Sequence, residues 1–311
     1  MISYPKMLPG LILLLLCYCF TQAQTDTNFL DVNTDTDLQS LLEDDEKPVK
    51  EYVKNAFKSS RVINGHSMEF IGSGVLDFRI LHRFGTFKSG YRELFGLDQA
   101  SMRMGFDLGI TKNFTLGIGR STFNKELDGF MKWRIIHQRK NVQPIPFSLV
   151  WVSGITMTTG KIPEAKLNIL TNRLGFYNQL ILGRKFGESF TLQLSPTHVH
   201  RNLVEFNTDK NDMIALGIGS RIKLTNRSAF IIDAFPILYG DRKNYNVFPL
   251  SLGFDIETGG HVFQLHISNA KGMNEKAFIT ETVQRWDKGE IQLGFNLSRV
   301  FTVVKNKATS W

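Results

Sequence analysis

The chain has 311 residues, a formal charge of +8 and two cysteines, Cys17 and Cys19. Residues 1–47 hold eight acidic side chains and two basic ones, which leaves 35 basic and 21 acidic side chains in residues 48–311. If the first 23 residues are removed no cysteine remains, which excludes disulfides, thiolate metal sites and a cysteine nucleophile. The basic remainder predicts anionic partners.

The first 23 residues have the pattern of a secretory signal peptide. Lys6 precedes the apolar run LILLLLCYCF, and Thr21 and Ala23 supply small residues ahead of a cleavage site. The apolar run is shorter than the roughly 20 residues of a membrane-spanning helix. We predict export with cleavage after Ala23, followed by an acidic, disordered leader over residues 24–47. Export argues against nucleic acid as a partner and favours lipopolysaccharide or small anions.

Alternation with a period of two recurs along the rest of the chain. In MIALGIGSRIKL, residues 213–224, one face holds Ile214 and Ile218, whereas the opposite face holds glycine and Arg221. The stretch SMRMGFDLGI, residues 101–110, repeats this arrangement. One apolar face and one small or charged face indicate a strand that lies between lipid and a polar interior.

Twelve candidate strands follow from this pattern. Four of their connections have three residues each (TKN, GES, TNR and TGG), and others are much longer. Short turns at one end and long loops at the other are typical of bacterial outer-membrane barrels. We therefore predict an all-β fold: a single transmembrane antiparallel β-barrel over residues 71–304, with short periplasmic turns, long extracellular loops and a C-terminal tail over 305–311. The predicted strands are 71–84, 101–110, 114–120, 128–138, 146–157, 173–186, 190–198, 212–224, 228–239, 248–257, 261–268 and 290–303.

A soluble β-sandwich would also alternate, but its outer face would be polar. Here the non-apolar face carries Gly, Ser, Gln and Asn with charges of both signs, which suits a narrow lumen. Closing the sheet leaves no unpaired edge in lipid. Phe301 near the end of the last strand resembles the terminal aromatic signal of barrels inserted by the outer-membrane assembly machinery, although ten residues follow it.

Several longer stretches resemble one β-barrel family. They are RVINGHSME (61–69), HRFG (82–85), FGLDQASMRMGFDLGITKNFTLGIGRSTF (95–123), DGFMKWRI (128–135), DIETGGHVFQLHISNAKGMNEKAFI (255–279) and FNLSRVF (295–301). They are similar to a Bacteroidota outer-membrane-type barrel family that is defined as a domain of unknown function. The resemblance covers about residues 50–303 and implies an outer-membrane barrel of a Gram-negative cell. It implies no substrate.

The string HISN, His266–Asn269, raises the alternative of a hydrolase. It resembles the nucleophile motif of outer-membrane phospholipases, in which His266 would act as the base and Ser268 as the nucleophile. However, Phe263, Leu265 and Ile267 form the lipid face of this strand, which turns His266 and Ser268 toward the lumen. The sequence also places no acid or Asn to orient the imidazole. A catalytic role is therefore the weaker interpretation.

Two histidines, His198 and His200, share one face of the seventh candidate strand. Such a pair can form half of a metal site. The sequence does not place a third ligand beside them, so solvated histidines at the barrel rim are the preferred interpretation. No phosphate-binding loop is present either, and we expect no cofactor.

Charged side chains that face the lumen are the strongest indication of function. The predicted inward bases are Arg79, Arg83, Arg103, Lys132, Arg134, Lys185, Arg221 and Lys223, and the predicted inward acids are Asp77, Asp107, Asp233, Asp255 and Glu257. These charges could pair and plug the lumen, or the basic excess could line a path for anions. Residues 48–70 are too apolar for a linker and could plug the barrel or add a strand. Loops 85–100 and 269–289 could fold inward or outward.

Taken together, the sequence favours an outer-membrane barrel that forms a narrow channel for the passive passage of small solutes, with anions as the candidates that the inward bases suggest. Its expected surroundings are outer-membrane lipid, lipopolysaccharide and the assembly machinery. The alternatives are the hydrolase centred on His266 and Ser268, and a non-conducting barrel that anchors a periplasmic or surface partner.

Overall fold

The structure is a computed structural model of the chain, and it describes residues 50–161, 168–204, 209–240, 247–258 and 261–304. The predicted signal peptide (1–23), the acidic leader (24–47) and the tail (305–311) lie outside the described residues. No helix among the described residues is long and apolar enough to cross a membrane.

Twelve antiparallel strands close into one barrel, which confirms the predicted fold. Each strand pairs with the next along the chain, and the last pairs with the first, for example Phe295 opposite His82. The strands are β1 (Val75–Thr86), β2 (Ala100–Thr111), β3 (Phe114–Ser121), β4 (Glu126–Ile136), β5 (Ser148–Thr158), β6 (Leu174–Phe186), β7 (Phe190–Arg201), β8 (Asp212–Lys223), β9 (Ser228–Ala234), β10 (Leu250–Thr258), β11 (His261–Ser268) and β12 (Gln292–Thr302).

Alternation along each strand separates an apolar outer face from a polar inner face. In β2, Met104 and Phe106 are exposed on the outside, whereas Arg103 and Asp107 are buried inside the barrel. Because successive side chains of a strand point to opposite faces, a run of this kind can satisfy lipid on one side and a polar interior on the other. The outer face of β3 follows the same pattern, since Ile118 in the middle of this strand is 64% exposed.

The two ends of the barrel differ in the length of their connections. We call the end at which β1 leads to β2, and β11 to β12, the long-loop end, and the end at which β2 leads to β3, and β6 to β7, the short-turn end. One helix, α1 (Glu275–Thr280), lies in the last long loop, where the Asn274 side chain accepts a hydrogen bond from the backbone N–H of Ala277. Short 3-10 turns occupy Phe87–Ser89, Tyr91–Gly96, Phe123–Lys125, Thr171–Arg173 and Trp286–Lys288.

Most strand boundaries differ from the sequence-based ones by one to three residues, and two differ by more. The ninth strand, predicted over 228–239, ends at Ala234 because Pro236 has no N–H to continue the ladder. Ile237–Tyr239 then pairs with β8 after a register shift between Ile214 and Ala215. The first strand begins at Val75 rather than at 71, since Gly74 turns the chain with a φ of +74°.

The chain before β1 forms a hairpin inside the barrel. We call residues 53–72 the lumen hairpin. Its two arms are joined by bonds from Val62 N–H to Gly65 C=O (2.8 Å) and from Ser67 N–H to Ser60 C=O (3.0 Å). Before the hairpin, Glu51–Tyr52 pairs with Arg139–Lys140 in the connection between β4 and β5. The hairpin therefore enters the barrel from the short-turn end.

A lysine on the outer face tests the membrane-facing assignment. We expect Ile118→Lys to lower the free energy of unfolding in a lipid bilayer by about 2–4 kcal/mol, because a cation at this depth has no polar partner in lipid. Urea unfolding in vesicles, followed by the heat-dependent gel mobility of folded barrels, measures the change. Ser189→Lys in a short turn is the control and should leave stability unaltered; an equal effect of both substitutions would contradict the assignment.

Candidate functional site

The interior of the barrel is the candidate site, and the lumen hairpin is fixed there at its tip. The carboxylate Oδ2 of Asp233, on β9, accepts three backbone N–H groups in succession, from Ile63 (3.2 Å), Asn64 (2.7 Å) and Gly65 (3.1 Å). Consecutive backbone N–H groups that converge in this way form a concave site for an anion. The tip of the hairpin therefore binds a carboxylate that the barrel wall supplies.

Amide side chains from other strands hold the arms of the hairpin. Gln193 of β7 accepts the N–H of Met68 (3.0 Å) and donates to the carbonyl of His66 (2.7 Å). On the opposite side, Asn296 of β12 donates to the carbonyl of Ile63 (3.0 Å). Because these bonds come from well-separated strands, the hairpin lies in the middle of the barrel and not against one wall.

Inward arginines and lysines contact either wall acids or the hairpin. Arg103 donates its Nε to Asp128 Oδ1 (2.8 Å), and Arg79 pairs with Asp77. By contrast, Arg83 donates to the hairpin at Asn64 Oδ1 (2.7 Å). Buried charges need such partners because an unpaired one is costly. Asp128 was not among the predicted lumen residues. It lies four residues before Lys132 on β4 and therefore points to the same face, so strict alternation would have identified it.

The remaining inward charges include lysines that contact backbone carbonyls of the hairpin. Lys132 donates to the carbonyl of Ser60 on the hairpin (3.2 Å). Lys185 donates to the carbonyl of Lys54 (3.1 Å) near the short-turn end. Of the predicted lumen residues, those buried are Arg79, Arg83, Arg103, Lys132, Arg221, Asp77, Asp107, Asp233 and Asp255, and those partly exposed are Arg134, Lys185, Lys223 and Glu257.

Helix α1 closes the interior from the long-loop end. Its first residue, Glu275, is 0% exposed and accepts a bond from Nη1 of Arg61 on the hairpin (2.9 Å). Asn274 donates to Glu126 on β4 (2.8 Å), and Phe278 packs against Phe235. The loop of residues 269–291 thus folds inward, and its helix meets the hairpin inside the barrel. Sequence reasoning did not find Arg61 or Glu275, since their pairing joins residues more than 200 positions apart.

Ionisation differs between the two elements that meet there. Burial lowers the pKa of Lys276 on α1, but the carboxylates of Glu281 and Glu126 outweigh this effect, so the pKa is raised. On the hairpin, Nε2 of His66 lies 3.4 Å from Oε1 of Glu275. Burial and the positive charge of Arg61 nevertheless hold the pKa of the His66 imidazole well below the usual value of 6.5. His66 is therefore neutral at pH 7.

The predicted hydrolase pair is not assembled. His266 is 2% exposed and Ser268 is 0% exposed, both on the inner face of β11. The Ser268 hydroxyl oxygen accepts hydrogen bonds from Ser251 Oγ (2.7 Å) and from the N–H of Ala270 (2.9 Å). Neither ring nitrogen of His266 has a hydrogen-bond partner among the described residues. Without a contact between base and nucleophile, the structure gives the catalytic interpretation no support.

The two rim histidines share one carboxylate. His198 Nε2 and His200 Nδ1 lie 2.9 Å and 2.8 Å from Asp212 Oδ1, on the outer face where β7 and β8 approach the long-loop end. Asp212 is the carboxylate that the sequence could not place. Across the described part of the chain, no group of three or more His, Cys, Asp or Glu side chains is arranged to hold a metal ion.

Comparison with known proteins identifies a family. Residues 57–301 match the family model described as a membrane bound beta barrel domain (DUF5777). The chain belongs to this family. The resemblance to a barrel family is thereby confirmed, while a Bacteroidota origin stays a prediction. No curated protein matches the sequence.

Three solved structures are similar to the chain. The translocator domain of autotransporter NalP from Neisseria meningitidis has 14% identity and a TM-score of 0.32, with 75% of this chain and 89% of that one covered. CdiB from Acinetobacter baumannii has 9% identity and a TM-score of 0.29, with 73% of this chain and 60% of that one covered. The TodX monoaromatic hydrocarbon channel deltaS2 mutant (9%, TM-score 0.30) is covered over 90% by 75% of this chain. Similarity this low assigns no function to the chain.

Loss of the carboxylate at Asp233 should release the hairpin. We expect Asp233→Asn to increase the rate at which a cysteine at Val62→Cys reacts with a soluble maleimide, by roughly ten- to hundredfold, because bonds to a charged group contribute about 1.5–3 kcal/mol. The protein is expressed without residues 1–23 and refolded. Asp287→Asn, in an exposed ion pair at the long-loop end, is the matched control. Equal labelling rates in all three proteins would show that Asp233 does not hold the hairpin.

Acid should weaken the interior through His66. Because the pKa of His66 is lower in the folded protein than in the unfolded chain, the unfolded chain binds more protons, and stability falls as the pH drops below about 6.5. The melting temperature of the wild type should therefore decrease more between pH 7 and pH 5 than that of His66→Gln. A parallel decrease in both proteins would rule out His66 as the source.

Proposed function

We propose that the chain forms an outer-membrane channel that its own lumen hairpin holds closed. The observation that supports this proposal is the position of the hairpin tip, where Asp233 accepts three backbone N–H groups in the middle of the barrel. The sequence analysis favoured a passively open path. A hairpin that fills the lumen favours a closed state that must be released before solutes pass.

The hairpin is placed so that it can leave without unfolding the barrel. Each of the twelve strands hydrogen-bonds to its two neighbours, and the sheet closes without any strand from residues 53–72. Both arms of the hairpin reach the short-turn end, where residues 50–52 and the start of β1 lie. Its polar contacts with side chains such as Gln193 and Asn296 can exchange for water. By contrast, Phe57, Ile63 and Met68 would have to leave the buried apolar cluster that they share with the wall.

Release of the hairpin would free charges of both signs, because Asp233 on the wall and Glu275 on α1 lose hairpin partners as well as the wall bases. Arg79 and Arg103 keep their wall partners, Asp77 and Asp128. Arg83 and Lys132, however, lose bonds to the hairpin. The freed cations Arg83 and Lys132 would offer binding positions for anions along the path, as charged rings do in other pores. We therefore propose anionic solutes as the cargo, which agrees with the basic composition of residues 48–311.

The second candidate is a barrel that never conducts and serves as an anchor. Helix α1 favours it, because the loop of residues 269–291 also fills the interior, from the long-loop end. In both cases we propose the same surroundings: export through a signal peptide, insertion by the outer-membrane assembly machinery, and contact with outer-membrane lipid and lipopolysaccharide.

Removal of the hairpin separates the two candidates. We expect a chain that lacks residues 50–72 to give steady single-channel steps in a planar bilayer, with a reversal potential that favours chloride over potassium. The wild type should be closed for most of the recording. Arg83→Gln in the shortened chain should reduce the preference for chloride, since it removes one of the newly unpaired cations.

The matched control is a deletion of equal length in the acidic leader, residues 24–46, which should stay closed like the wild type. Each protein is first shown to be folded by its heat-dependent gel mobility. A folded barrel that lacks residues 50–72 and still does not conduct would overturn the channel and leave the anchor.

A further inference from the structure

A cavity at the short-turn end lies between the hairpin and the barrel wall. Its volume is about 840 Å³, within the usual range of small-molecule sites. One side is formed by the hairpin, with Lys54 on the entering arm and Glu69 and Phe70 on the returning arm. The other side is formed by Lys112, from the turn between β2 and β3, and Arg134 near the end of β4.

The charges that line this cavity are unbalanced. Lys54, Lys112, Arg134 and Arg139 contribute four positive charges, and none of the four has an ion pair among the described residues. The single acid in the lining, Glu69, already accepts the backbone N–H of Ala56. Elsewhere in the interior, bases such as Arg79 and Arg103 have carboxylate partners. With four cations against one acid, the short-turn cavity therefore has positive charge available for a ligand.

Arg134 is positioned for an anion. Its guanidinium stacks on the Phe70 ring at 4.2 Å from the centroid, which fixes its plane. Nη1 donates weakly to the carbonyl of Lys112 (3.3 Å), and Nε has no acceptor among the described residues. A guanidinium that is held in place with donors to spare is the group that binds phosphate or carboxylate oxygens in pairs.

Apolar side chains complete the lining. Ile71 on the hairpin, Ile136 at the end of β4 and Ile145 on the connection between β4 and β5 face the same cavity. A ligand that satisfies both parts of the lining has a charged head and an apolar body. A simple inorganic anion would leave the apolar part uncovered, and an uncharged apolar molecule would leave the cations unpaired.

We infer that this cavity binds an organic phosphate, with the phosphate at Arg134, Lys112 and Lys54 and the apolar body against the isoleucines. The inference deepens the proposed function and rests on it for the role of the ligand as the solute of the channel. Binding itself needs no conductance. A soluble organic phosphate and the head group of a phospholipid at the short-turn surface share this chemistry.

Calorimetric titration of the folded full chain in a neutral detergent tests the site. The probe is phenyl phosphate, and phenol is its uncharged analogue. We expect phenyl phosphate to bind the wild type, and the double variant Lys54→Gln, Lys112→Gln to bind it at least tenfold more weakly, since two charged partners are lost. Both lysines are exposed, so the barrel should fold normally. Arg134→Gln provides a second, independent loss of affinity.

The matched control removes two exposed lysines at the opposite end, Lys125→Gln with Lys288→Gln, which lowers the net charge equally. It should bind phenyl phosphate as the wild type does. Equal binding of phenyl phosphate by both double variants, or equal binding of phenol and phenyl phosphate by the wild type, would overturn the inference.

The source of the phosphate is distinguished by native mass spectrometry with phosphatidylglycerol. If the wild type retains this lipid, the Lys54→Gln, Lys112→Gln variant loses it, and phenyl phosphate does not bind, the ligand is a lipid head group and the site plays no part in solute passage. If neither the probe nor the lipid distinguishes the variants, no anion site exists. Failure of the proposed channel would appear separately, in the conductance of the chain that lacks residues 50–72.

Discussion

A barrel interior lined by charged side chains can be stable only if those charges find partners, and this constraint governs the structure. Ion pairs within the wall satisfy some of them, as between Arg103 and Asp128. Others depend on the hairpin, which offers backbone N–H groups to Asp233 and a side-chain amide oxygen to Arg83. The penalty for burying an unpaired charge thus makes the hairpin part of the folded interior in the closed state, and its release requires water to solvate the charges that it leaves.

The same constraint explains why the hairpin and α1 meet. Arg61 reaches the interior on the hairpin and would be an uncompensated buried cation there. Glu275 arrives from the opposite end at the start of α1 and pairs with it. Each element therefore completes the other, and displacement of one leaves a buried charge on its partner. The ion pair between Arg61 and Glu275 therefore connects the hairpin, which enters at the short-turn end, with α1, which enters at the long-loop end.

The sequence predicted the wall of the barrel well because the wall follows a local rule. In β2 and β8 the alternation of side chains was enough to identify the strands and to turn Arg103 and Arg221 inward. The rule failed at Pro236, where the missing N–H broke the ninth strand and a register shift followed. It also could not show that residues 269–291 fold inward, because a helix as short as α1 has no periodic signal of its own.

The contents of the lumen were beyond local reasoning. Residues 48–70 were recognised as too apolar for a linker, and a plug and an extra strand were both open. Their placement is decided by contacts between distant positions, such as Asn64 with Ser251 and Arg61 with Glu275. No single sequence shows which of many inward polar groups will be neighbours. For the same reason, the sequence predicted Arg134 as a lumen charge but did not predict that it would share one cavity with the other cations of the short-turn end.

Hydrogen exchange of the protein in lipid nanodiscs, read by mass spectrometry, tests most directly whether the hairpin fills the lumen. We predict that peptides covering residues 56–68 exchange as slowly as those of β7 and β9, since their amides are buried and bonded across the hairpin or to the barrel wall. Exchange of these peptides as fast as that of the exposed turn at residues 187–189 would contradict it.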